Sequence, residues 1–365
     1  MILMNDFKAE PEALRDAEVA AAERVLRSGW FVLGNEVRAF EDTWAKQCNL
    51  PHAVGVGNGM DAIEIGLRAI GTDPGDEIIT TATTAFATVL AIFRAGATPV
   101  LADIDPRTAL LDPSSVERCI TARTKGVLVV HLYGQVRNLS LWVDFCGTHK
   151  IDLLEDCAQS HLAKWEGKTG GAFGRYGAYS FYPTKNLGAI GDAGALVSGD
   201  ASIANRARVL RNYGQSERYH HPELGLNSRL DELQAALLLA RIAWLNAFTQ
   251  RRREIAAAYY REIRNPRVRL LDAPVEQENH VFHLFVVICR QRDRLAQFLE
   301  DHGVQTLVHY PVPVHHQPPC KEIRQDPQGL KASEQHAEQC LSIPCHPQMD
   351  DAAVRNVIEA INAFR

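Results

Sequence analysis

The sequence predicts an α/β protein built on a largely parallel sheet. Three observations carry this. Between residues 53 and 200, short apolar runs alternate with amphipathic stretches, the pattern of successive βα units. A long helix-spaced segment begins near Ser228. After Pro266 the pattern changes to a small unit of strand, helix and strand, an α+β appendage. A length of 365 residues suits one large domain with a smaller one. The boundary is placed near residue 246, giving domains 1–246 and 247–365.

The buried strands are expected at 53–56, 77–79, 98–101, 127–132, 151–154, 178–181 and 195–197, each a short apolar run. Ser228, with Asp231 three residues on, fits a helix-capping pattern. Leu230, Leu233, Leu237 and Trp244 then recur at helical spacing, and residues 251–253 continue the helix on a solvated face. In the small unit, strands are expected at 283–288 and 304–308 and a helix at 293–301.

Composition removes several function classes. A net charge of -5 without a basic stripe gives no nucleic-acid footprint. The apolar start at Met1–Leu3 is broken by Asp6, Lys8 and Glu10, so it is no signal peptide. No run reaches the roughly 18 apolar residues of a membrane helix. The eight cysteines lack zinc-ligand or redox spacing and read as reduced thiols of a cytoplasmic protein.

Two phosphate-binding motifs fail on inspection. Gly55, Gly57 and Gly59 suggest a dinucleotide fingerprint, but Met60 stands where its third glycine is required. Gly167-Lys168-Thr169 resembles the end of a P-loop, but Leu162 stands at the earlier glycine. His309, His315 and His316 match no metal-ligand spacing, so no metal is expected.

Four segments do carry chemistry. GNGMDA (57–62) is a glycine turn between a strand and an amphipathic helix, where backbone N–H groups can meet a phosphate. LLEDCAQ (153–159) is a buried strand ending in two acids. An ionised Asp156 there can keep a cationic ring nitrogen protonated, or it can simply cap a helix. In SFYPTKNLG (180–188), Lys185 has aromatic and small neighbours and no other charge until Asp192. Desolvation of such a lysine favours the neutral, nucleophilic amine. NSRLDELQAA (227–236) opens a long helix with polar residues that can reach an anion or merely start the helix.

Together these pieces resemble the DegT/DnrJ/EryC1 family of sugar-nucleotide aminotransferases, which have the type I fold of pyridoxal phosphate enzymes. The matching strings are GNGMDA, VVHLYGQ, LLEDCAQSH, SFYPTKNLGAIGDAGALV, LRNYG and NSRLDELQAALL, in the family's order, within residues 31–316. The resemblance implies that Lys185 forms the Schiff base with pyridoxal 5'-phosphate and moves the proton in catalysis. It implies that Asp156 pairs with the pyridinium and that Gln159 meets the cofactor's hydroxyl. Ser180 and the Gly59 and Met60 amides would hold the phosphate. Asn227 would reach the phosphate of a neighbouring subunit, making the active unit a homodimer.

Two departures stand out. Met60 replaces the family's frequent Thr or Ser. Thr84-Ala85-Phe86-Ala87-Thr88 puts alanine where an aromatic residue often covers the ring, leaving Ala85 or Phe86 for that place. The resemblance also suggests L-glutamate as amino donor and a dTDP-linked 3-keto-6-deoxyhexose as acceptor. The runner-up is a 4-keto sugar nucleotide, and a non-catalytic cofactor-binding regulator is the alternative from another class. Arg218, His220, His221, Arg229 and His309 are the candidate cations for the diphosphate. His161, Tyr310 and His316 are candidates at the sugar.

Overall fold

The computed structural model describes residues 1–365. Its strands, in chain order, are β1 (His52–Val56), β2 (Glu77–Thr81), β3 (Thr98–Ala102), β4 (Thr124–Val130), β5 (Asp152–Asp156), β6 (Lys164–Trp165), β7 (Lys168–Thr169), β8 (Gly177–Ser180), β9 (Gly194–Ser198), β10 (Val268–Leu270), β11 (Phe285–Cys289) and β12 (Cys340–Ile343). All seven strands expected from the apolar runs between 53 and 197 form one sheet, ordered β1-β9-β8-β5-β4-β2-β3. The neighbours β3, β2, β4, β5 and β8 run parallel, while β9 is antiparallel to both β8 and β1. β1 therefore points the same way as β8, and β9 alone opposes the rest.

Side chains alternate across this sheet, as strand geometry requires. Val54, Ile78, Leu128, Leu154, Ala178 and Leu196 share one core with the helices Gly59–Ala69 and Ala201–Leu210. Their sequence neighbours turn to the opposite face. There Ala53, Tyr179, Ala195 and Val197 pack on Phe40 and Trp44, while Ile79, Val127 and Leu153 pack on Trp142 and Cys146. Burial on both faces explains why the strands read as continuous apolar runs. The result is a three-layer α/β sandwich.

A 31-residue helix, Glu232–Glu262, runs through the expected domain boundary. Leu245 still packs with Trp44 and Phe40, whereas Ile255, Ala256 and Tyr259 belong to the small unit's core. That core forms around the three-stranded sheet β10-β11-β12. Residues 304–308 make only isolated bridges, Ile2 to Val304 and Leu307 to Ser342, and not the expected strand.

The long helix also starts later than its capping pattern suggested. Asp231 is the N-cap residue and makes no side-chain capping bond. The Ser228 hydroxyl instead accepts the Gly57 N–H at 3.0 Å, bracing the exit of β1. The Glu232 carboxylate turns away from its own helix and accepts the N–H groups of Gly34, Glu36 and Val37 at 2.7–3.0 Å. It thereby caps the helix Asn35–Gln47 from a distance. All eight cysteines are buried and unpaired. No helix is long and apolar enough to cross a membrane.

Candidate active site

In open α/β sheets, ligands bind beyond the carboxyl ends of the parallel strands. The predicted chemical residues converge there. Gly59 follows β1, Asp156 ends β5, and Ser180 ends β8 with Lys185 in the loop beyond.

The residues expected to cradle a phosphate come from two strand exits. Asn58 caps the helix Gly59–Ala69 by accepting the Asp61 N–H at 2.9 Å. The Gly59 and Met60 N–H groups lie in the first turn, outside the helix's own ladder. A Cβ on Gly59 would stand 2.6 Å from the Cβ of Ser180, so only glycine lets these two segments meet. Ser180 is fixed from behind, where its carbonyl accepts a hydrogen bond from His161 Nε2 at 2.9 Å.

This contact corrects the expectation for His161. The residue is 0% exposed and packed among Trp44, Tyr179 and Phe181. Burial drives its pKa down to about 3, so the ring is neutral. It positions Ser180 and is not open to a sugar, because the aromatic cluster surrounds it.

Lys185 is presented by a closed loop. Phe181 holds both ends: its N–H donates to the Ala193 carbonyl at 2.8 Å, and its carbonyl accepts the Ala189 N–H at 2.7 Å. Inside the loop the Lys185 N–H donates to the Tyr182 carbonyl at 2.8 Å. Burial lowers the Lys185 ammonium to about 8, with Asp156 pulling the other way. The charge of Lys185 in turn lowers His161, His283 and His309, though burial is the larger cause for each. His283, buried with no partner for Nδ1, carries no sequence signal that sets it apart.

Asp156 is 6% exposed. Burial raises its pKa, while the Ala158 N–H, the Thr88 hydroxyl and Lys185 favour the anion. Ala158 donates to Oδ1 at 3.1 Å and Thr88 to Oδ2 at 2.8 Å. Thr88 escapes sequence reasoning because nothing local ties it to a residue 68 positions away. Glu155, adjacent to Asp156 in sequence, has a different fate. The Glu155 carboxylate accepts the N–H groups of Gly171, Phe173 and Gly174 at 2.7–2.9 Å and lies 2.8 Å from His131. Of the acidic pair, only Asp156 faces the site.

Gln159 is oriented on both sides. Its Oε1 accepts the Tyr133 N–H at 2.6 Å, and its Nε2 donates to the Tyr310 hydroxyl at 3.3 Å. Burial pushes Tyr310 up to about 12, so the phenol stays protonated. Tyr133 donates its hydroxyl to the His309 carbonyl at 2.6 Å. His309 Nδ1 lies 2.8 Å from Ser342 Oγ, and burial brings its pKa to about 4, so the ring is neutral. The small unit thus contributes His309 and Tyr310 to the site, but His309 brings no charge.

Ala85 and Phe86 now separate. Phe86 turns into a cluster with Ala82, Val89, Leu101 and Val314. Ala85 stays at the N-cap of the helix Phe86–Arg94.

The remaining candidates lie elsewhere on the chain. Arg218 stacks on Tyr219, His221 lies 3.0 Å from the Tyr213 carbonyl, and Arg229 donates to Asn212 and covers the Tyr213 ring. These contacts, and the bridge from His220 to Glu217, stay within one loop and its base. Asn227 is exposed at that base, paired with Asn212. His316 is exposed on a short turn beside the exit of β2, where Val314 donates to the Ala82 carbonyl. Because this is a turn and not a strand, His315 and His316 both approach Glu334, at 3.2 and 3.7 Å.

The donors fit a phosphate-bearing pyridine aldehyde. Free helix amides and a hydroxyl suit the phosphate, a buried carboxylate suits a cationic ring nitrogen, and a lysine near neutrality suits the aldehyde.

Comparison with known proteins agrees. The model of the DegT/DnrJ/EryC1/StrS aminotransferase family matches residues 12–362. The chain is 40% identical over 363 residues to a pleiotropic regulatory protein of Geobacillus stearothermophilus, covering 99% of this chain and 98% of the relative. It is 42% identical over 359 residues to dTDP-3-amino-3,4,6-trideoxy-alpha-D-glucose transaminase of Streptomyces venezuelae, covering 98% and 95%. Its fold matches the crystal structure of S. venezuelae DesV in complex with a ketimine intermediate. That match has a TM-score of 0.95 and 41% identity, over 99% of this chain and 97% of the other.

Proposed function

The chain belongs to the DegT/DnrJ/EryC1/StrS aminotransferase family, and from that premise we propose that it aminates C3 of a dTDP-linked 3-keto-6-deoxyhexose, with L-glutamate as donor. It is an aminotransferase, and its cofactor is pyridoxal 5'-phosphate. The single observation that carries the assignment of chemistry is the half-buried Lys185, in the loop beyond β8, within electrostatic reach of Asp156 at the end of the neighbouring β5. The choice of sugar carbon is supported by the 3-amino sugar transaminase that is 42% identical. A 4-keto acceptor is the competing reading.

When bound, pyridoxal phosphate supplies the electron sink that lets the donor lose its α-proton. Asp156 holds the proton of the ring nitrogen through an anion kept ready by Thr88 and Ala158. Lys185 Nζ would hold the cofactor through its aldehyde carbon, and as a free amine would take the proton from the donor's α-carbon. Ser180 and the Gly59 and Met60 amides hold the phosphate, and Gln159 donates toward the cofactor's hydroxyl. Lys185 would serve the proton in both directions as the cofactor carries the nitrogen from glutamate, released as its 2-oxo acid, to the keto sugar. Ala85 leaves the ring less covered than an aromatic residue would.

The loop carrying Arg218, His220 and His221 supports a homodimer with shared sites. Its ends are drawn together where Gly214 and Gly225 approach too closely for any Cβ. Beyond that pinch it exposes Tyr219 at 80% and Leu224 at 88%, apolar area that a second subunit would cover. In that dimer Asn227 and Arg229 reach the neighbour's phosphate and diphosphate groups, with Tyr310 and His316 from the small unit at the sugar. We place the enzyme in the cytoplasm, with its nucleotide-linked substrate. A non-catalytic regulator is the alternative that the name of the Geobacillus relative invites. The intact set of Lys185, Asp156 and Gln159 favours turnover.

Product NMR after incubation with 3-keto and 4-keto dTDP-6-deoxyhexoses tests the regiochemistry. Nitrogen on C3 is expected, and amination of the 4-keto sugar alone would refute it.

A further inference from the structure

Tyr133 has a third neighbour besides Gln159 and the His309 carbonyl. Its hydroxyl lies 2.7 Å from His336 Nε2, and His336 lines a separate cleft of about 710 Å³. This cleft runs between the loop after β3 and the β10–β11 edge of the small sheet. Its volume falls within the range of roughly 300–1,000 Å³ typical of small-molecule sites.

Arg107, Arg267, Arg269 and Arg290 line the cleft, and no aspartate or glutamate does. The fold forces this clustering. Val268 is buried at 7%, so strand alternation puts Arg267 and Arg269 on the opposite, outer side. Val268 pairs with Cys289 on β11, which brings Arg290 next to Arg267. Arg107 arrives from the large domain and is paired from outside the wall by Asp272 at 2.7 Å. Arg269 donates to the Pro106 carbonyl at 3.2 Å. Neither Arg267 nor Arg290 has a carboxylate partner.

Acidic residues outnumber basic ones in this chain, 44 to 39. Three guanidinium groups without a carboxylate partner on the small-sheet wall, faced by Arg107 across the cleft, stand out against that background. Like charges on adjacent strands are destabilising on their own. A multivalent anion would reverse the sign of that interaction, and the guanidinium fork matches phosphate oxygens in pairs. Glutamine amides on the same walls add uncharged donors.

We propose that this cleft binds an oligophosphate, the di- or triphosphate chain of a nucleotide or its inorganic counterpart, at a site separate from Lys185. The arginines concerned are exposed, so their removal leaves the core intact.

The test is calorimetric titration of the holoenzyme with inorganic tripolyphosphate and, separately, with ATP. Both are expected to bind, with an affinity that falls as salt rises. The Arg267→Ala/Arg269→Ala double variant is expected to weaken tripolyphosphate at least about tenfold, as loss of two charge-assisted contacts implies. Arg290→Ala is expected to weaken it by a smaller factor. Arg355→Ala, exposed on the helix Asp351–Ala363 and not part of the cleft's lining, is expected to leave it unchanged. Equal affinity for the two probes would assign recognition to the phosphate chain, and tighter ATP would add the nucleoside. No binding by the wild type, or unchanged affinity in the double variant, would overturn the proposal.

Discussion

A Cβ placed on Gly59 would stand 2.6 Å from the Cβ and 3.0 Å from the Cα of Ser180. The two residues proposed to cradle the phosphate are therefore in contact only because one of them has no side chain. Gly59→Ala must push the helix start away from Ser180, at an overpacking cost of about 1–3 kcal/mol. Cofactor affinity is expected to fall roughly ten- to hundredfold. Met60→Ala, which keeps the amide, is expected to hold affinity within about threefold. Equilibrium dialysis of pyridoxal phosphate against the apoenzymes measures both.

Lys185 titrates near 8 because burial disfavours its charge. Capture of the cofactor aldehyde needs the neutral amine. Its rate should therefore rise roughly tenfold from pH 7 to 9 and level off above about pH 8. A lysine at its ordinary value would still be gaining steeply at pH 9. Stopped-flow absorbance of apoenzyme mixed with pyridoxal phosphate reads the profile, and a rate that climbs without levelling would contradict the burial argument.

Thr88 stabilises the ionised form of Asp156. Removing the hydroxyl raises the Asp156 pKa, so the acid limb of the activity profile should move to higher pH in Thr88→Val. Turnover at neutral pH is expected to fall roughly tenfold, the scale of one hydrogen bond to a charged group. Thr88→Ser should restore both. A uniform loss with no shift of the limb would assign Thr88 a purely structural role.

Glu155 and Asp156 are adjacent but serve different ends. Glu155 is 0% exposed and accepts three backbone N–H groups of the turn before β8. Glu155→Gln turns an acceptor into a donor facing those groups, so the thermal midpoint of the apoenzyme should drop by several degrees. Asp156→Asn should change that midpoint little and abolish turnover. Differential scanning calorimetry with steady-state assays separates the two, and the reverse pattern would exchange their roles.

The sheet was legible because each strand is buried on both faces and so reads as an unbroken apolar run. Lys185 and Asp156 were legible for a related reason: each follows or ends such a run, and parallel neighbours place those ends together. What escaped depends on distance in sequence. Thr88 meets Asp156 only through the packing of the helix Phe86–Arg94 against the sheet. His161 reads as a polar residue beside the site, yet one main-chain carbonyl and an aromatic cluster bury it. The turn 304–308 is apolar enough for a strand but borders two different partners, Ile2 and Ser342, and forms no ladder. The helix Glu232–Glu262 carries no glycine or proline, so nothing in it marks where one core gives way to the next. The arginine wall joins residue 107 to residues 267–290, a neighbourhood that only the fold creates.

The central claim is that glutamate gives its amino group to the cofactor while Lys185 moves the proton. Holoenzyme mixed with L-glutamate in the absence of any sugar, followed by absorption spectroscopy, tests it most directly. Conversion of the aldehyde form of the cofactor to its amine form, with release of one equivalent of 2-oxo acid, is expected, and no conversion in Lys185→Ala. A wild-type holoenzyme whose spectrum does not change with glutamate or any other amino donor would contradict it.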